Sequence, residues 1–227
     1  MGGTVSEKKD LAALGERLVE LGLSRGTAGN ISILTAEGEV IGSPSGVDLG
    51  RLDPDNLSVL RMAGDGALVQ QSGPRASKEM PMHAAMYRRF GPGVVVHTHS
   101  FYTVQSSCMP AWAPYCAVPP YAPYFVMTIG NLPLIPYRHP GDPELGELID
   151  QADLDFRAAL LAHHGLILYA ESVDAAVAAT VELEEACKLA VGLSGAQNAE
   201  VLDADALREL AQRNGRPWGS GRGKTGG

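Results

Sequence analysis

The chain lacks the residues and runs on which several classes of protein depend. Its 227 residues include three cysteines, Cys108, Cys116 and Cys187, with no Cys-x-x-Cys spacing. So odd and sparse a set builds no disulfide framework and points to reduced thiols in a cytoplasmic protein. No run of about 18 apolar residues occurs, and no charged segment leads into an apolar stretch at the N-terminus, so neither a membrane span nor an export signal is expected. Positive charge is scarce: 18 Lys and Arg stand against 26 Asp and Glu, a formal net charge of −8. Nothing offers a basic stripe to a phosphate backbone, which argues against a nucleic-acid partner, although a local pocket could still hold a small anion. There is no Walker pattern for nucleotide phosphates and no Gly-x-Ser-x-Gly elbow for a serine nucleophile.

What the chain holds instead is the stretch Gly93-Val94-Val95-Val96-His97-Thr98-His99-Ser100. Three consecutive β-branched residues suit a buried strand. Side chains alternate between the faces of a strand, so His97 and His99 point one way and Thr98 the other. Two imidazoles on one face, one pleat repeat apart, can share a metal ion, and imidazole suits zinc and similar ions. Either histidine alone would read as an ordinary hydrogen-bonded strand residue; the spacing is what points to metal.

With 45% hydrophobic and 19% charged residues, the chain is expected to fold as one α/β domain with a well-buried core. Leu11, Leu14, Leu18 and Leu21 mark a helix over 6–23, followed by a glycine-rich segment at 26–30, a hairpin of strands at 31–34 and 38–42, and a loop at 43–46. The pattern predicts a strand at 67–71, a helix over 80–90 with Met82, Met86 and Phe90 in line, and a second helix over 102–108. Residues 111–143 are proline-rich and too long for an ordinary connection, so they are expected to reach an active site or a subunit boundary, with a strand at 124–129. A helix over 144–153 opened by Asp142 and Pro143, strands at 158–162 and 166–169, a long helix over 172–191 and a short one over 198–213 complete the reading. Residues 1–195 are read as the catalytic domain, 196–214 as a helical extension, and 215–227 as a disordered tail.

A third ligand for the histidine pair is expected at His164. His163 and His164 are adjacent, so extended backbone sends them to opposite faces, and Gly165 leaves room for a ligand to approach. A half-buried pair at a strand bend is the alternative, and His83 and His139 rank below His164. Glu79 carries three readings: a solvated acid at a helix start, a structural partner of His83 four residues on, or a carboxylate for the position that three histidines leave free on zinc, able to turn to proton transfer. Segments 26–30, 43–46 and 76–78 combine hydroxyls with loop glycines or a helix N-terminus, and so offer N–H groups to phosphate oxygens. Each alone is an ordinary turn.

Taken together, Gly26-Thr27-Ala28-Gly29-Asn30-Ile31-Ser32, Ser43-Pro44-Ser45-Gly46, Ser77-Lys78-Glu79, His97-Thr98-His99-Ser100 and His163-His164-Gly165 resemble, in that order, the motifs of the class II aldolase/adducin family over residues 8–195. The resemblance implies a three-layer α/β/α sandwich around a central, mostly antiparallel sheet, assembled as a homotetramer with active sites between subunits. It implies His97, His99 and His164 as ligands of zinc, with manganese or iron as the other metals that imidazole accepts. Glu79 would be the acid/base residue that can also approach the metal, and Thr27, Asn30, Ser45, Gly46 and Ser77 would line a phosphate pocket. Lys78 stands where sugar-phosphate aldolases commonly have a second serine. With the segments at 119–127 and 136–143, this Ser-Lys-Glu form is similar to the 3-oxo-tetronate 4-phosphate decarboxylase branch. Ala76 replaces the proline usual before it, and Ser43 and Ser45 stand where threonines are commoner.

The activity implied is metal-dependent carbon–carbon lysis of a small phosphorylated sugar acid, losing carbon dioxide to leave a triose phosphate by way of an enediolate. Lys78 would attract the substrate's carboxylate or phosphate, and Glu79, Tyr121 or Tyr124 would supply the proton. Retro-aldol cleavage of a sugar phosphate comes next among the family's activities, then pentulose-phosphate 4-epimerisation. An adducin-like binding module would have no need of His97, His99, His164 and Glu79 together.

Overall fold

The computed structural model describes residues 3–219. Helix α1 (Gly3–Glu20) leads into strands β1 (Asn30–Leu34), β2 (Glu39–Gly42), β3 (Ser58–Met62) and β4 (Leu68–Ser72). Helix α2 (Met80–Phe90), strand β5 (Gly93–Thr98) and helix α3 (Phe101–Ser107) follow without long connections. After α4 (Pro123–Thr128) and the two-residue β6 (Leu134–Ile135) come α5 (Glu144–Gln151), β7 (Ala158–Leu161), β8 (Gly165–Ala170), α6 (Val173–Leu193) and α7 (Ala204–Arg213).

The eight strands form one sheet in the order β4-β3-β2-β1-β5-β8-β7-β6. Every pairing is antiparallel except β6 with β7. Alternation along the central strands feeds two cores. Val94 and Val96 of β5, with Leu166 and Leu168 of β8, pack with Leu11, Leu14 and Leu18 of α1 and Leu183 of α6. Val95, Ile167 and Tyr169 face the other way, onto Met82 and Met86 of α2 and Leu145 and Ile149 of α5. Helices on both faces make the three-layer α/β/α sandwich. Each fully buried aliphatic side chain contributes roughly 1.5–3 kcal/mol, so the central strands are held from both sides.

Register then positions the chemistry. Asn30 of β1 and Ile167 of β8 are the cross-strand partners of His97 on either side of it. Paired residues share a face, so Asn30 and His97 look together towards the α2 layer.

Four expectations are corrected. The strand expected at 124–129 is helix α4: Pro123 fixes φ at the first helical position, and Phe125, Val126 and Ile129 are buried on one side of a short helix packed against α6 and α7. The leucine stripe of α1 stops at Leu18, since the helix ends at Glu20 and Leu21 is exposed. The last helix begins at Ala204 rather than 198, where the Asp203 carboxylate accepts from the N–H groups of Asp205 and Ala206. The tail expected from 215 onward lies outside the described residues from 220. Before that point it docks, because Pro217 O accepts from Asn131 N, Gly219 N donates to Asn131 Oδ1, and Trp218 packs on the core. Among the described residues no helix is long and apolar enough to cross a membrane, and all three cysteines are free.

Candidate metal centre

β5 ends at Thr98, and His97 and His99 leave it on one face with their Nε2 atoms 2.9 Å apart. His97 Nδ1–H donates to Leu166 O at 2.7 Å, which leaves Nε2 as the bare nitrogen of the neutral ring. Just beyond His99, α3 starts without a side-chain cap of its own. Glu184 of α6 supplies it, accepting from Tyr102 N, Thr103 N and Ser100 Oγ at 2.7–3.1 Å. Glu184→Ala is expected to lose about 2 kcal/mol of stability, read as a lower urea midpoint, and to weaken metal binding through the loosened His99–Ser100 segment.

The hairpin between β7 and β8 brings His164 to the pair. Its backbone is not extended, as the sequence reading assumed: His163 is the only described non-glycine residue with a positive φ, 57°. That left-handed turn exposes His163 against the Tyr137 ring and buries His164. The C-terminal end of α3 holds the turn, with Ser107 O accepting from His163 N and Ser107 Oγ from His164 N. Gly165 must be glycine, because a Cβ there would collide with Thr98 O and crowd His99.

One ring nitrogen from each of His97, His99 and His164 lies within 4.8 Å of the others. Glu79 faces them from the start of α2, Oε2 3.4 Å from His97 Nε2 and Oε1 3.3 Å from His164 Nε2. The carboxylate is 7% exposed, which removes the solvated reading of Glu79. Burial works against its charge, but the approach of His164, the attraction of His97 and the Asn30 amide outweigh it, so the carboxyl is held well below the usual carboxylate range. Burial also pushes the His97 imidazole down to about 3 and lowers that of His99, so both offer lone pairs at neutral pH.

The donor set fits a metal. Both ring nitrogens of the buried His164 lack a hydrogen-bond partner, a cost that a ligand would remove. A tetrahedral ion bound at 2.0–2.1 Å needs nitrogens about 3.4 Å apart, a small adjustment for rings already this close.

Asn30, expected in the phosphate pocket, is committed elsewhere: its Nδ2 donates to Glu79 Oε2 at 2.7 Å and its Oδ1 faces His83 Nε2 at 2.6 Å. One amide hydrogen remains for a ligand. Gly29 lets this segment rest on β5, since a Cβ there would lie 2.6 Å from His97 O. Segments 43–46 and 75–78 are joined by a bridge between Pro44 and Ala76 and by Ser45 N donating to Arg75 O. Ser45, Gly46 and Lys78 are exposed there, Ser77 is partly so with its Oγ accepting from Glu79 N, and the Lys78 stem lies against Gly141; Thr27 is exposed in its own loop before β1. Tyr121 instead lines a cavity of about 280 Å³ with Met109, Trp112 and Ala190, and Tyr124 is 65% exposed on α4. Neither tyrosine makes a hydrogen bond or ring contact with the histidines or Glu79.

Behind Glu79 lies a set of contacts that the sequence does not announce: it offers His83 as a partner of Glu79 but gives no role to Ser32 or Tyr87. His83 is not Glu79's direct partner; it joins Asn30 and Ser32, and Ser32 joins Tyr87. The signal was there in Glu79, His83 and Tyr87 at four-residue spacing, one face of a helix. Burial, partly opposed by the charge of Glu79, lowers His83 from its ordinary 6.5 to about 4. Below pH 6.5 the unfolded chain therefore takes up a proton that the native state refuses. Stability from this group is full above pH 6.5 and falls by about 3 kcal/mol as the pH drops to about 4. Urea midpoints from pH 7 to 4 should fall more steeply in the wild type than in His83→Gln.

Comparison with known proteins adds to this geometry. Residues 9–191 match the family model described as Class II Aldolase and Adducin N-terminal domain. The 3-oxo-tetronate 4-phosphate decarboxylase of Haemophilus influenzae is 36% identical over 211 residues, covering 92% of this chain and 98% of its own. The 5-deoxy-D-ribulose 1-phosphate aldolase of Bacillus thuringiensis is 30% identical over 210 residues, covering 91% and 94%. The crystal structure of YgbL from Escherichia coli superposes with a TM-score of 0.84 at 32% identity, over 92% of this chain and 99% of that one.

Proposed function

Since the chain belongs to the class II aldolase and adducin family, we propose that it is a zinc-dependent carbon–carbon lyase that decarboxylates 3-oxo-tetronate 4-phosphate to a triose phosphate. The observation that carries this reading is the buried Glu79 carboxylate set within 3.4 Å of His97 and 3.3 Å of His164. The name of the Haemophilus influenzae relative supports the choice of substrate. An adducin-like binding module would gain nothing from a buried carboxylate aimed at three histidines.

His97, His99 and His164 would hold the ion, which when bound supplies Lewis-acid polarisation of the substrate carbonyl. Breaking the bond to the carboxylate carbon releases carbon dioxide and leaves an electron pair on the neighbouring carbon, conjugated with the ketone. That carbon then takes one proton, drawn ultimately from water. Glu79 is ionised at rest, so it accepts a proton first and returns it to carbon, while Asn30 keeps it aimed. Lys78 and the hydroxyls of Thr27, Ser45 and Ser77, with the N–H of Gly46, would receive the phosphate or the departing carboxylate. Tyr124 on its exposed helix, or Tyr121, would reach a site only across a subunit boundary, in keeping with a homotetramer. The free cysteines suit a cytoplasmic enzyme.

One observation favours a second reading. A carboxylate prepared to accept a proton is what retro-aldol cleavage of a sugar phosphate needs, and one relative is named as such an aldolase. Ranking kcat/KM for 3-oxo-tetronate 4-phosphate, 5-deoxyribulose 1-phosphate and fuculose 1-phosphate tests the choice. The tetronate should lead, and an aldehyde-releasing substrate in first place would move the assignment to aldolase. A mass in solution of four chains is expected, and a fully active monomer would contradict the shared site.

A further inference from the structure

A continuous line of buried hydrogen bonds runs from the middle of α2 to Glu79. Tyr87 Oη and Ser32 Oγ are 2.6 Å apart, Ser32 Oγ and His83 Nδ1 2.7 Å, His83 Nε2 and Asn30 Oδ1 2.6 Å, and Asn30 Nδ2 and Glu79 Oε2 2.7 Å. Ser32 and His83 have no exposed surface, and Asn30 and Tyr87 have 3% and 2%. All four side chains are therefore nearly closed to bulk solvent.

The direction of every bond follows from its end. Asn30 donates from Nδ2 to Glu79 Oε2, so its NH2 faces the carboxylate and its carbonyl faces His83. His83 must then donate from Nε2, which leaves Nδ1 bare in the neutral ring. Nδ1 accepts the hydroxyl proton of Ser32, and Ser32 accepts that of Tyr87. An amide with the other orientation would set its carbonyl oxygen against the carboxylate and push Glu79 off the histidines.

We propose that His83 is a positioning residue for Glu79: its Nε2–H holds the Asn30 amide in the one orientation that gives the carboxylate a donor. The inference rests on Glu79 being the working acid/base. An aliphatic side chain would fill the same space between α2 and β1 without the cost of burying an imidazole, so the ring's place there is explained by its directional bonds.

The test has two arms. Nitrogen-15 spectra of histidine-labelled wild-type protein, with the His83 signals assigned by their loss in His83→Gln, should show Nε2 protonated and Nδ1 bare. In kinetics, His83→Leu should lower kcat by about 10–100-fold while KM and bound metal stay as in the wild type. His83→Gln, which keeps an amide donor towards Asn30, should recover most of that loss. A ring protonated at Nδ1, or a folded His83→Leu at full kcat, overturns the proposal. Should His83→Leu fail to fold, the wild-type spectrum and His83→Gln decide. The spectrum needs no substrate, so a wild-type protein inactive as a lyase would sink the proposed function separately from the tautomer.

Discussion

Glu79→Gln is expected to fold, to keep its metal on three histidines and to lose about a hundred- to ten-thousand-fold in turnover. The amide is nearly the shape of the carboxylate, and its oxygen can still accept from Asn30, so the packing around it is kept. What disappears is the negative charge that faces His97 and His164 at 3.4 and 3.3 Å. A neutral amide neither takes up a proton nor returns one to carbon. The loss should fall on kcat rather than KM, because the proposed phosphate pocket is built from other segments. Normal turnover by the folded variant on its best substrate would remove Glu79 from the mechanism.

Removing the metal should abolish activity outright, and the same ion should be visible without any substrate. Zinc at about a thousand times its Kd is expected to stabilise the chain by about 4 kcal/mol, a rise of roughly 8–16 °C in Tm for a domain of this size. His99→Ala is the informative variant. His99 is the part-exposed member of the trio, so its loss opens no buried cavity. This variant should match the wild-type Tm in chelator yet gain little from zinc and show no activity. A zinc-induced rise as large in His99→Ala as in the wild type would place the ion elsewhere.

Much of this was legible in the chain because the relevant elements follow local rules. A triple-valine strand must alternate, and that alone puts His97 and His99 on one face. The structure does place His164 beside the pair, but through a left-handed residue at 163 that separates the two rings, not through extended backbone. Glu79 kept three readings because burial of a helix-start acid depends on what the sheet places opposite it. Only the pairing of β1 with β5 sets Asn30 beside His97. The misread segment at 124–129 is apolar and short, and periodicity does not separate strand from helix at that length. Tertiary contacts with α6 and α7 decided it. The roles of the tyrosines were not legible, because within this chain Tyr121 lines a separate cavity and Tyr124 stands exposed on α4.

Whether the chain is a metal-dependent decarboxylase is decided by carbon dioxide release from 3-oxo-tetronate 4-phosphate, measured with zinc-loaded protein and again after chelation. One carbon dioxide per triose phosphate formed is expected, lost with chelator and restored by zinc. No release from metal-replete protein, or release indifferent to the chelator, would contradict it.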